Sequence, residues 1–264
     1  MNTVSRIENL RYILRTLLAE REEYAGWRIP DALETQQSMM RALLNVRPPQ
    51  PVSPEFLQAQ DAELRQQLAD KGIVALSDIP PCQSDSRLRV WQGDITRLQA
   101  DAIVNAANNA LLGCFVPMHH CIDNAIHSAA GVQLRLECDR LMQAQGHPEP
   151  TGWCAKITKG YNLPARYVLH TVGPIVRGGK PTPRQEKELA ECYRSCLELA
   201  DAHGLASIVF CCISTGEFGF PQERAAQIAV ETVMDCLKTA SYIQTVVFNV
   251  FKDEDLFIYR GLLP

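Results

Sequence analysis

The sequence predicts an α/β fold in which helices cover both faces of a mostly parallel sheet, preceded by a separate helical segment. After about residue 80, short runs rich in β-branched residues alternate with stretches of helical periodicity, as in proteins built from strand–helix–strand units. Before residue 80, apolar residues recur at helical spacing and no strand-like run occurs. We therefore predict a helical extension over residues 1–80 and an α/β domain over residues 81–264.

Composition and charge exclude several classes of protein. The 264 residues are 46% apolar and 21% charged, which is typical of a globular protein. The net charge of -4 and the lack of a dense Lys/Arg run argue against nucleic-acid binding. The N-terminus has no apolar core of signal-peptide length, no run has membrane-spanning length, and the ten cysteines lack regular spacing. We expect a cytoplasmic protein that binds neither nucleic acid nor membranes.

Three helices are predicted in the extension. Prolines between residues 47 and 54 exclude helix, and they separate a second helix around residues 32–44 from a third over about residues 55–70. Ser53 is a candidate N-terminal cap of the third helix. The first helix has an apolar stripe made of Val4, Ile7, Leu10, Leu14, Leu17 and Leu18.

Six strands and three helices are predicted in the α/β domain. The helices lie near residues 123–145, 186–202 and 222–239. Ligands in such folds bind at the carboxyl ends of the strands, so the loops that follow the strands are candidate sites. The strands lie within LRVWQGDI, DAIVNAA, CAKITKGY, RYVLHTV, ASIVFCCIS and QTVVFNVF.

A cluster of metal-ligand residues follows the second strand. Cys114, His119 and Cys121 offer two thiolates and an imidazole, and Asp123 follows at a predicted helix start. Three ligands with one open position are typical of a catalytic zinc ion, and soft thiolates favour zinc. Two alternatives stay open for the cluster, a structural metal or no metal. Asp123 has the alternative of serving only the helix dipole.

Three strand-end loops have chemistry suited to a nucleotide. Asp94 can accept a hydrogen bond from an exocyclic amine such as that of adenine, although a Gly-Asp turn is often only a turn. The amides of Asn105 and Asn108 suit a ribose diol. The small residues of loop 214–221 expose backbone N–H groups ahead of a helix, which suits a diphosphate, although many such loops bind nothing.

Taken together and in order, QGDIT, DAIVNAAN, IHSAAG, TGWCAKITKGYNLPARYVLHTVGP and ISTGEFGFP resemble the macrodomain family, the ADP-ribose-binding α/β module, over about residues 85–260. Hydrolytic macrodomains usually have a run of glycines where this chain has CFVPMHHC. That departure and the helical extension resemble the zinc-dependent macrodomain subfamily, which removes ADP-ribose from proteins. The resemblance implies a three-layer αβα macrodomain with a mostly parallel mixed sheet.

The resemblance also implies a role for individual residues. The subfamily pattern selects His119 over its neighbour His120 as a ligand. Phe251 becomes a candidate for packing on adenine, although an aromatic residue late in a strand is more often part of the core. The implied sites are adenine at Asp94 and Ile95, the distal ribose at Asn108, the diphosphate and that ribose at Ser214, Thr215, Gly216, Glu217 and Phe218, one zinc ion at Cys114, His119 and Cys121, and catalysis by Asp123 with Asn108.

The remaining histidines and cysteines have ordinary structural interpretations. His127 is expected in the core or on a helix face rather than as a ligand, and His170 is expected as a structural hydrogen-bonding residue. Cys192, Cys196, Cys211 and Cys212 are expected in the core, whereas no nearby partner is predicted for Cys82, Cys138, Cys154 and Cys236.

The leading hypothesis is a zinc-dependent hydrolase that releases ADP-ribose from mono-ADP-ribosylated proteins. Ester links to Asp or Glu are the expected substrates, because a carboxylate is a good leaving group. Two thiolates leave little net charge at the zinc ion, which favours ribose orientation and polarisation over strong water activation. The alternatives are a non-catalytic ADP-ribose reader and an O-acetyl-ADP-ribose deacetylase. The resemblance adds a lipoyl-carrier protein as a candidate partner.

Overall fold

The computed structural model describes residues 3–264, with side-chain surroundings from residue 5 onward, so Met1, Asn2 and the side chain of Val4 lie outside the described residues. The described helices are α1 (Thr3–Ala19), α2 (Leu33–Val46), α3 (Pro54–Lys71), α4 (Ile122–Ala130), α5 (Val132–Gln145), α6 (Pro183–Ala202), α7 (Gln222–Cys236) and α8 (Asp253–Leu262). The described strands are β1 (Val74–Ala75), β2 (Leu88–Gln92), β3 (Leu98–Gln99), β4 (Ala102–Ala106), β5 (Lys156–Lys159), β6 (Tyr167–Thr171), β7 (Ser207–Phe210) and β8 (Thr245–Val250).

The main sheet has six strands in the order β2-β8-β7-β4-β6-β5. All neighbouring pairs run parallel except the edge pair of β5 and β6. Strands β4, β7 and β8 are almost continuously buried, since helices cover both faces of the sheet. The predicted mostly parallel, mixed sheet is confirmed, and all six predicted strands are present.

The helices form two layers around this sheet. From β4 the chain passes through α4, α5 and the edge strand β5 to reach β6, which pairs with one edge of β4. From β6 it returns through α6 to β7, which pairs with the other edge of β4. Because such crossovers are right-handed, α4 and α5 lie on one face, and α6, α7 and α8 lie on the other. The apolar core fills the two spaces between the layers. This arrangement confirms the predicted three-layer α/β fold.

The predicted helix over residues 123–145 is in fact two helices. Gly131 separates α4 from α5 with a φ of 95°, and a Cβ there would lie 2.6 Å from Nε2 of Gln60. Gln60 belongs to α3, and its Oε1 accepts a hydrogen bond from the backbone N–H of Val132 at 3.0 Å. The break therefore depends on a residue far away in the sequence, which local periodicity does not reveal.

The C-terminal helix α8 was not predicted. Its first turn holds acidic residues, which suit a helix N-terminus. Tyr259 is buried and its ring lies 5.0 Å from the ring of Phe248 in β8, centroid to centroid. The helix has only ten residues, fewer than the window of about 11–18 residues over which a helical period is recognised, which explains why the pattern missed it.

The N-terminal helices have an apolar core of their own and rest on the α4–α5 layer. Ser53 caps α3, as predicted, by accepting a hydrogen bond from the N–H of Phe56 at 3.1 Å. Val132 at the start of α5 joins the apolar cluster of α1, α2 and α3. The boundary near residue 80 stays a prediction, and β1, which precedes it, pairs with β3 beyond it. None of the helices within residues 3–264 has the length and apolar character needed to cross a membrane.

A single carboxylate ties β4 to two neighbouring segments. Asp101 accepts hydrogen bonds from the N–H groups of Ala206 and Ser207, both at 3.0 Å, and from Arg166 at 2.9 Å. Burial acts to raise the pKa of Asp101, but the bonds from Arg166 and Ser207 outweigh it and hold the pKa below its ordinary value. Because the folded-state pKa is depressed, this stabilisation is present above about pH 4 and is lost as the pH falls through the folded-state value.

Replacing Asp101 with Asn should therefore destabilise the protein in a pH-dependent way. We expect Asp101→Asn to lower the free energy of unfolding by about 1–3 kcal/mol at about pH 7, measured by urea unfolding, since charged hydrogen bonds are lost. At about pH 3.5 the loss should shrink, because the wild-type carboxyl is then partly protonated in the unfolded state, where its pKa is ordinary. The exposed Glu198 on α6 provides a control, Glu198→Gln, with an expected change within about 0.5 kcal/mol. An equal loss at both pH values would contradict the assignment.

Candidate active site

A cavity of about 830 Å³ opens at the carboxyl-end edge of the sheet. Loops that follow β2, β4 and β7 line it from one side, and α2 and α3 line it from the other with residues that include Arg41 and Lys71. The volume lies within the usual range for small-molecule sites. Every residue that the sequence predicts for the site lines this cavity: Asp94, Ile95, Asn108, Cys114, His119, Cys121, Asp123, Ser214, Thr215, Gly216, Glu217 and Phe218.

Asp123 is a buried carboxylate held by two amides. Nδ2 of Asn105 donates to its Oδ1 at 2.8 Å, and Nδ2 of Asn108 donates to its Oδ2 at 3.3 Å. The Asn108 amide also donates to the backbone oxygen of Gly113 at 3.0 Å. Burial raises the pKa of Asp123 to about 6, although the Asn105 hydrogen bond and the charge of Arg135 oppose the shift. The carboxylate is therefore a stronger base than an exposed aspartate and has a fixed orientation.

Asn105, whose amide the sequence suggested for a ribose diol, does not line the cavity and instead holds Asp123. It lies in β4 and is fully buried, and its Oδ1 has no hydrogen-bond partner among the described residues. A polar amide inside an otherwise apolar, buried strand is costly unless it has a task, and that mismatch is the signal that could have identified it.

Cys114, His119 and Cys121 come together on one loop, residues 113–121, which we call the ligand loop. Their ligand atoms all lie within 4.8 Å of one another, and Sγ of Cys114 is 3.6 Å from Nδ1 of His119. Two ligands of a tetrahedral zinc ion, one sulfur and one nitrogen, would lie about 3.6 Å apart, so the donor set fits zinc. The exposed His120 lines the cavity but does not belong to this group.

The ligand loop leads directly into the helix that carries Asp123. Sγ of Cys121 accepts a hydrogen bond from the N–H of Asn124 at 3.4 Å and so caps α4. Burial raises the pKa of the Cys121 thiol to about 12, so a bound cation would be needed to make it a thiolate at neutral pH. The ligand group and Asp123 thus share one helix start.

A second group of histidine and cysteine lies behind Asp123 in the core. His127 is buried, with Nε2 3.5 Å from Oδ1 of Asp123, so of the two expected positions it takes the one in the core. His170 is a structural hydrogen-bonding residue, as predicted, because Nε2 lies 2.9 Å from the Thr158 hydroxyl. The prediction that Cys138 has no partner is wrong, since its Sγ lies 3.8 Å from Nε2 of His170. It is also wrong for Cys154, which donates to Oε1 of Glu149 at 3.2 Å, and for Cys236, which accepts from Nη1 of Arg194 at 3.6 Å.

The expectations for the other cysteines hold in part. Within the described residues all ten cysteines are free thiols. Cys192, Cys196 and Cys211 are buried, as predicted, whereas Cys212 is only half-buried and lines the cavity together with Cys211.

Asp94 lines the same cavity from the loop that follows β2, and it makes its own contacts. Its Oδ1 accepts hydrogen bonds from the N–H and the hydroxyl of Thr96, at 3.0 and 2.6 Å, and its Oδ2 pairs with Lys71 at 3.0 Å. Burial acts to raise the pKa of Asp94, but the bonds with Thr96 and Lys71 hold it below its ordinary value. Phe251 follows β8 and is 78% exposed at the cavity, so its alternative place in the core is wrong.

The loop after β7 turns tightly beside the cavity. Ser214 has a φ of 66°, unusual for a residue other than glycine, and its buried hydroxyl has no hydrogen-bond partner among the described residues. A Cβ at Gly173 would lie 2.1 Å from that hydroxyl, so only glycine allows the two loops to approach. Glu217 of the same loop reaches across to His119, with Oε1 3.6 Å from Nε2.

Comparison with known proteins identifies the class to which this fold and site belong. The Macro domain family profile matches residues 104–229. Among solved structures, the Oceanobacillus iheyensis macrodomain with ADPR is 41% identical, covers 66% of this chain and 90% of its own, and superposes with a TM-score of 0.60. The Trypanosoma brucei macrodomain in complex with ADP-ribose is 34% identical, covers 81% and 91%, and has a TM-score of 0.64.

Similarity over nearly the full length is found with proteins that carry a more specific name. A Treponema medium protein named Protein-ADP-ribose hydrolase is 50% identical over 254 residues, which cover 96% of this chain and 97% of the relative. A Staphylococcus aureus (strain MSSA476) protein of the same name is 49% identical over 251 residues, covering 95% and 93%. The chain therefore belongs to the macrodomain family.

Gly113 at the start of the ligand loop offers a test of how tightly that loop packs. Its φ is 80°, and a Cβ there would lie 2.8 Å from Cγ of the buried His127. Gly146 has a similar φ of 76° but open space around it, so Gly146→Ala isolates the backbone strain. We expect Gly113→Ala to cost about 1–3 kcal/mol more than Gly146→Ala in urea unfolding, because it adds a clash in the core. Equal losses of stability in the two variants would mean that the His127 ring can move away from the added methyl group without a free-energy cost.

Proposed function

We propose that the chain is a zinc-dependent hydrolase that removes ADP-ribose from mono-ADP-ribosylated proteins, with ester links to Asp or Glu as the preferred linkage. The observation that carries the proposal is the buried carboxylate of Asp123, held by two amides directly beside a Cys/His ligand group in a nucleotide-sized cavity. The near-full-length relatives named Protein-ADP-ribose hydrolase support the removal of ADP-ribose.

The lining of the cavity suggests how the substrate lies. The adenine end would contact Asp94 and Ile95, with the exposed ring of Phe251 beside it. The diphosphate would lie against the loop from Ser214 to Phe218, whose tight turn brings backbone N–H groups close to a ligand. The distal ribose would then reach Asn108, which places its anomeric carbon near Asp123.

One zinc ion would be held by Cys114, His119 and Cys121. When bound, it would supply a Lewis acid that orients the distal ribose and polarises an oxygen atom there. The spacing of the ligand atoms and the open cavity in front of them support this role over a closed structural site.

The chain's own residues account for the proton transfer. In the hydrolysis of an ester-linked substrate, an oxygen of water forms a bond to the anomeric carbon and the bond to the protein carboxylate breaks. The carboxylate leaves with its electron pair, so it requires no proton. Asp123 accepts the proton of the water, while Asn105 and Asn108 hold its two oxygens in place. A guanidino or amide-like link has a poorer leaving group and should react more slowly.

Removing the proposed base should abolish most of the activity. We expect Asp123→Asn to lower kcat by about 10²- to 10⁴-fold in a release assay on Glu-linked mono-ADP-ribosylated protein. Asp139→Asn on the outer surface of α5 is the matched control and should keep wild-type rates. An Arg-linked substrate should be cleaved more slowly than the Glu-linked one by the wild-type protein.

Other outcomes would favour the other functions. ADP-ribose binding without turnover on any protein substrate would favour a reader module, and faster turnover of O-acetyl-ADP-ribose would favour a deacetylase. A modified lipoyl-carrier protein is one of the substrates to include.

Zinc dependence needs a separate test. Chelator treatment should remove the activity and zinc should restore it, whereas Cys121→Ser should lose both the bound metal and the recovery. Cys82→Ser is the matched control, because Cys82 is a thiol that does not line the cavity. Metal content is measured by elemental analysis, and the thiolate-to-metal absorption of a cobalt-substituted sample reports the ligands. Activity that does not change on chelator treatment would mean that Asn108 and Asp123 carry out the reaction without the metal.

A further inference from the structure

Helix α2 of the N-terminal extension makes direct hydrogen bonds to the ligand loop. Nη2 of Arg41 donates to the backbone oxygen of His119 at 3.1 Å and to Oδ1 of Asn124 at 2.8 Å. The same guanidinium group therefore touches the backbone of a proposed zinc ligand and the first turn of α4. These contacts join residues that are about 80 positions apart in the sequence.

One turn further along α2, Asn45 makes a second pair of contacts. Its Oδ1 accepts a hydrogen bond from the N–H of Met118 at 2.9 Å, and its Nδ2 donates to the hydroxyl of Ser128 at 2.9 Å. Met118 has a φ of 56°, a conformation that costs free energy for a residue with a Cβ. A strained residue persists only where its surroundings hold it, and Asn45 supplies that hold next to His119.

Asn124 connects Arg41 to a further residue of the ligand loop, Val116. While Arg41 donates to its Oδ1, its own Nδ2 donates to the backbone oxygen of Val116 at 3.1 Å. The ligand loop is thus held at Val116, Met118 and His119, all between the two cysteine ligands. Its outer side chains, among them Val116, are exposed and add little packing of their own.

These contacts are not needed for docking the helix. The apolar side chains of Met40, Leu43 and Leu44 already bury one face of α2 in the core of the N-terminal helices. Arg41 is only half-buried and lines the cavity, and its buried Nε has no hydrogen-bond partner among the described residues. A residue that leaves a buried donor unpaired while bonding to both the ligand loop and the first turn of α4 has a local function there.

We propose that Arg41 and Asn45 are positioning residues, through which the N-terminal extension holds the ligand loop in the geometry that binds zinc. This proposal rests on the zinc site proposed above. Three ligand atoms on a nine-residue surface loop would otherwise lose conformational freedom when the metal binds, and that loss would weaken the affinity. Holding the loop beforehand removes most of the cost. The extension is then part of the metal centre.

The experiment measures zinc affinity in the full-length protein by competition with a chromophoric chelator. Arg41→Lys keeps the charge but removes the guanidinium Nη2 that donates to both acceptors. Asn45→Ala removes the support of Met118. Two controls change the same residue types away from the loop. Arg15→Lys alters an exposed arginine of α1, and Asn9→Ala removes a hydrogen bond to Ala59 inside the helical bundle.

We expect Arg41→Lys and Asn45→Ala each to weaken zinc binding by about 10- to 100-fold, as the loss of groups that orient metal ligands usually does. The controls should stay within about twofold of the wild type. Losses below about fivefold in both variants, with normal zinc binding by the wild type, would overturn the positioning role alone. An equal loss in Asn9→Ala would also overturn it, because bundle stability would then explain the effect. A wild-type protein that binds no zinc would instead refute the metal site itself.

Discussion

The buried guanidinium group of Arg135 joins the three parts of the molecule on which the site depends. From α5 it donates to the backbone oxygens of Leu44 and Arg47 at the end of α2, and to that of Leu112 at 2.7 Å just before the ligand loop. The ring of Phe115 lies 4.4 Å from its Cζ. Burial lowers the pKa of Arg135 to about 10, which still leaves it charged at neutral pH. A buried charge is tolerated only when its donors are satisfied, so the carbonyl groups around it must stay in place.

That constraint explains why the three proposed metal ligands and a carboxylate can share one helix start. The loop from Leu112 to Cys121 is held at its beginning by Arg135 and at its end by the cap on α4. Asp123 then follows on a rigid helix rather than on a mobile segment, which suits a group that must meet a reacting atom. The arrangement costs stability, since Asp123 is a carboxylate in the interior and the ring nitrogens of His127 find no hydrogen-bond partner among the described residues.

The local sequence was sufficient to predict that two thiols, an imidazole and a carboxylate lie close together. Cys114, His119, Cys121 and Asp123 lie within ten residues, so their side chains cannot be far apart in any compact loop. Asn105 lies in a strand, and the only sign in the sequence that it contacts Asp123 is a polar side chain within an apolar run. The break between α4 and α5 could not be predicted, because the approach of a glutamine from α3 causes it. Helix α8 was missed because its ten residues are too few to establish a helical period.

Hydrophobic periodicity and strand-end loops determined the fold class, the positions of the six main strands along the chain and which loops line the cavity, because these features repeat over a few residues. Packing decided that the N-terminal helices form a wall of that cavity and hold the ligand loop through Arg41 and Asn45. It also decided that Lys71 pairs with Asp94 across the same space. Such contacts join segments that are distant along the chain. Each depends on the position of a whole helix in the folded protein, and no local sequence pattern specifies that position.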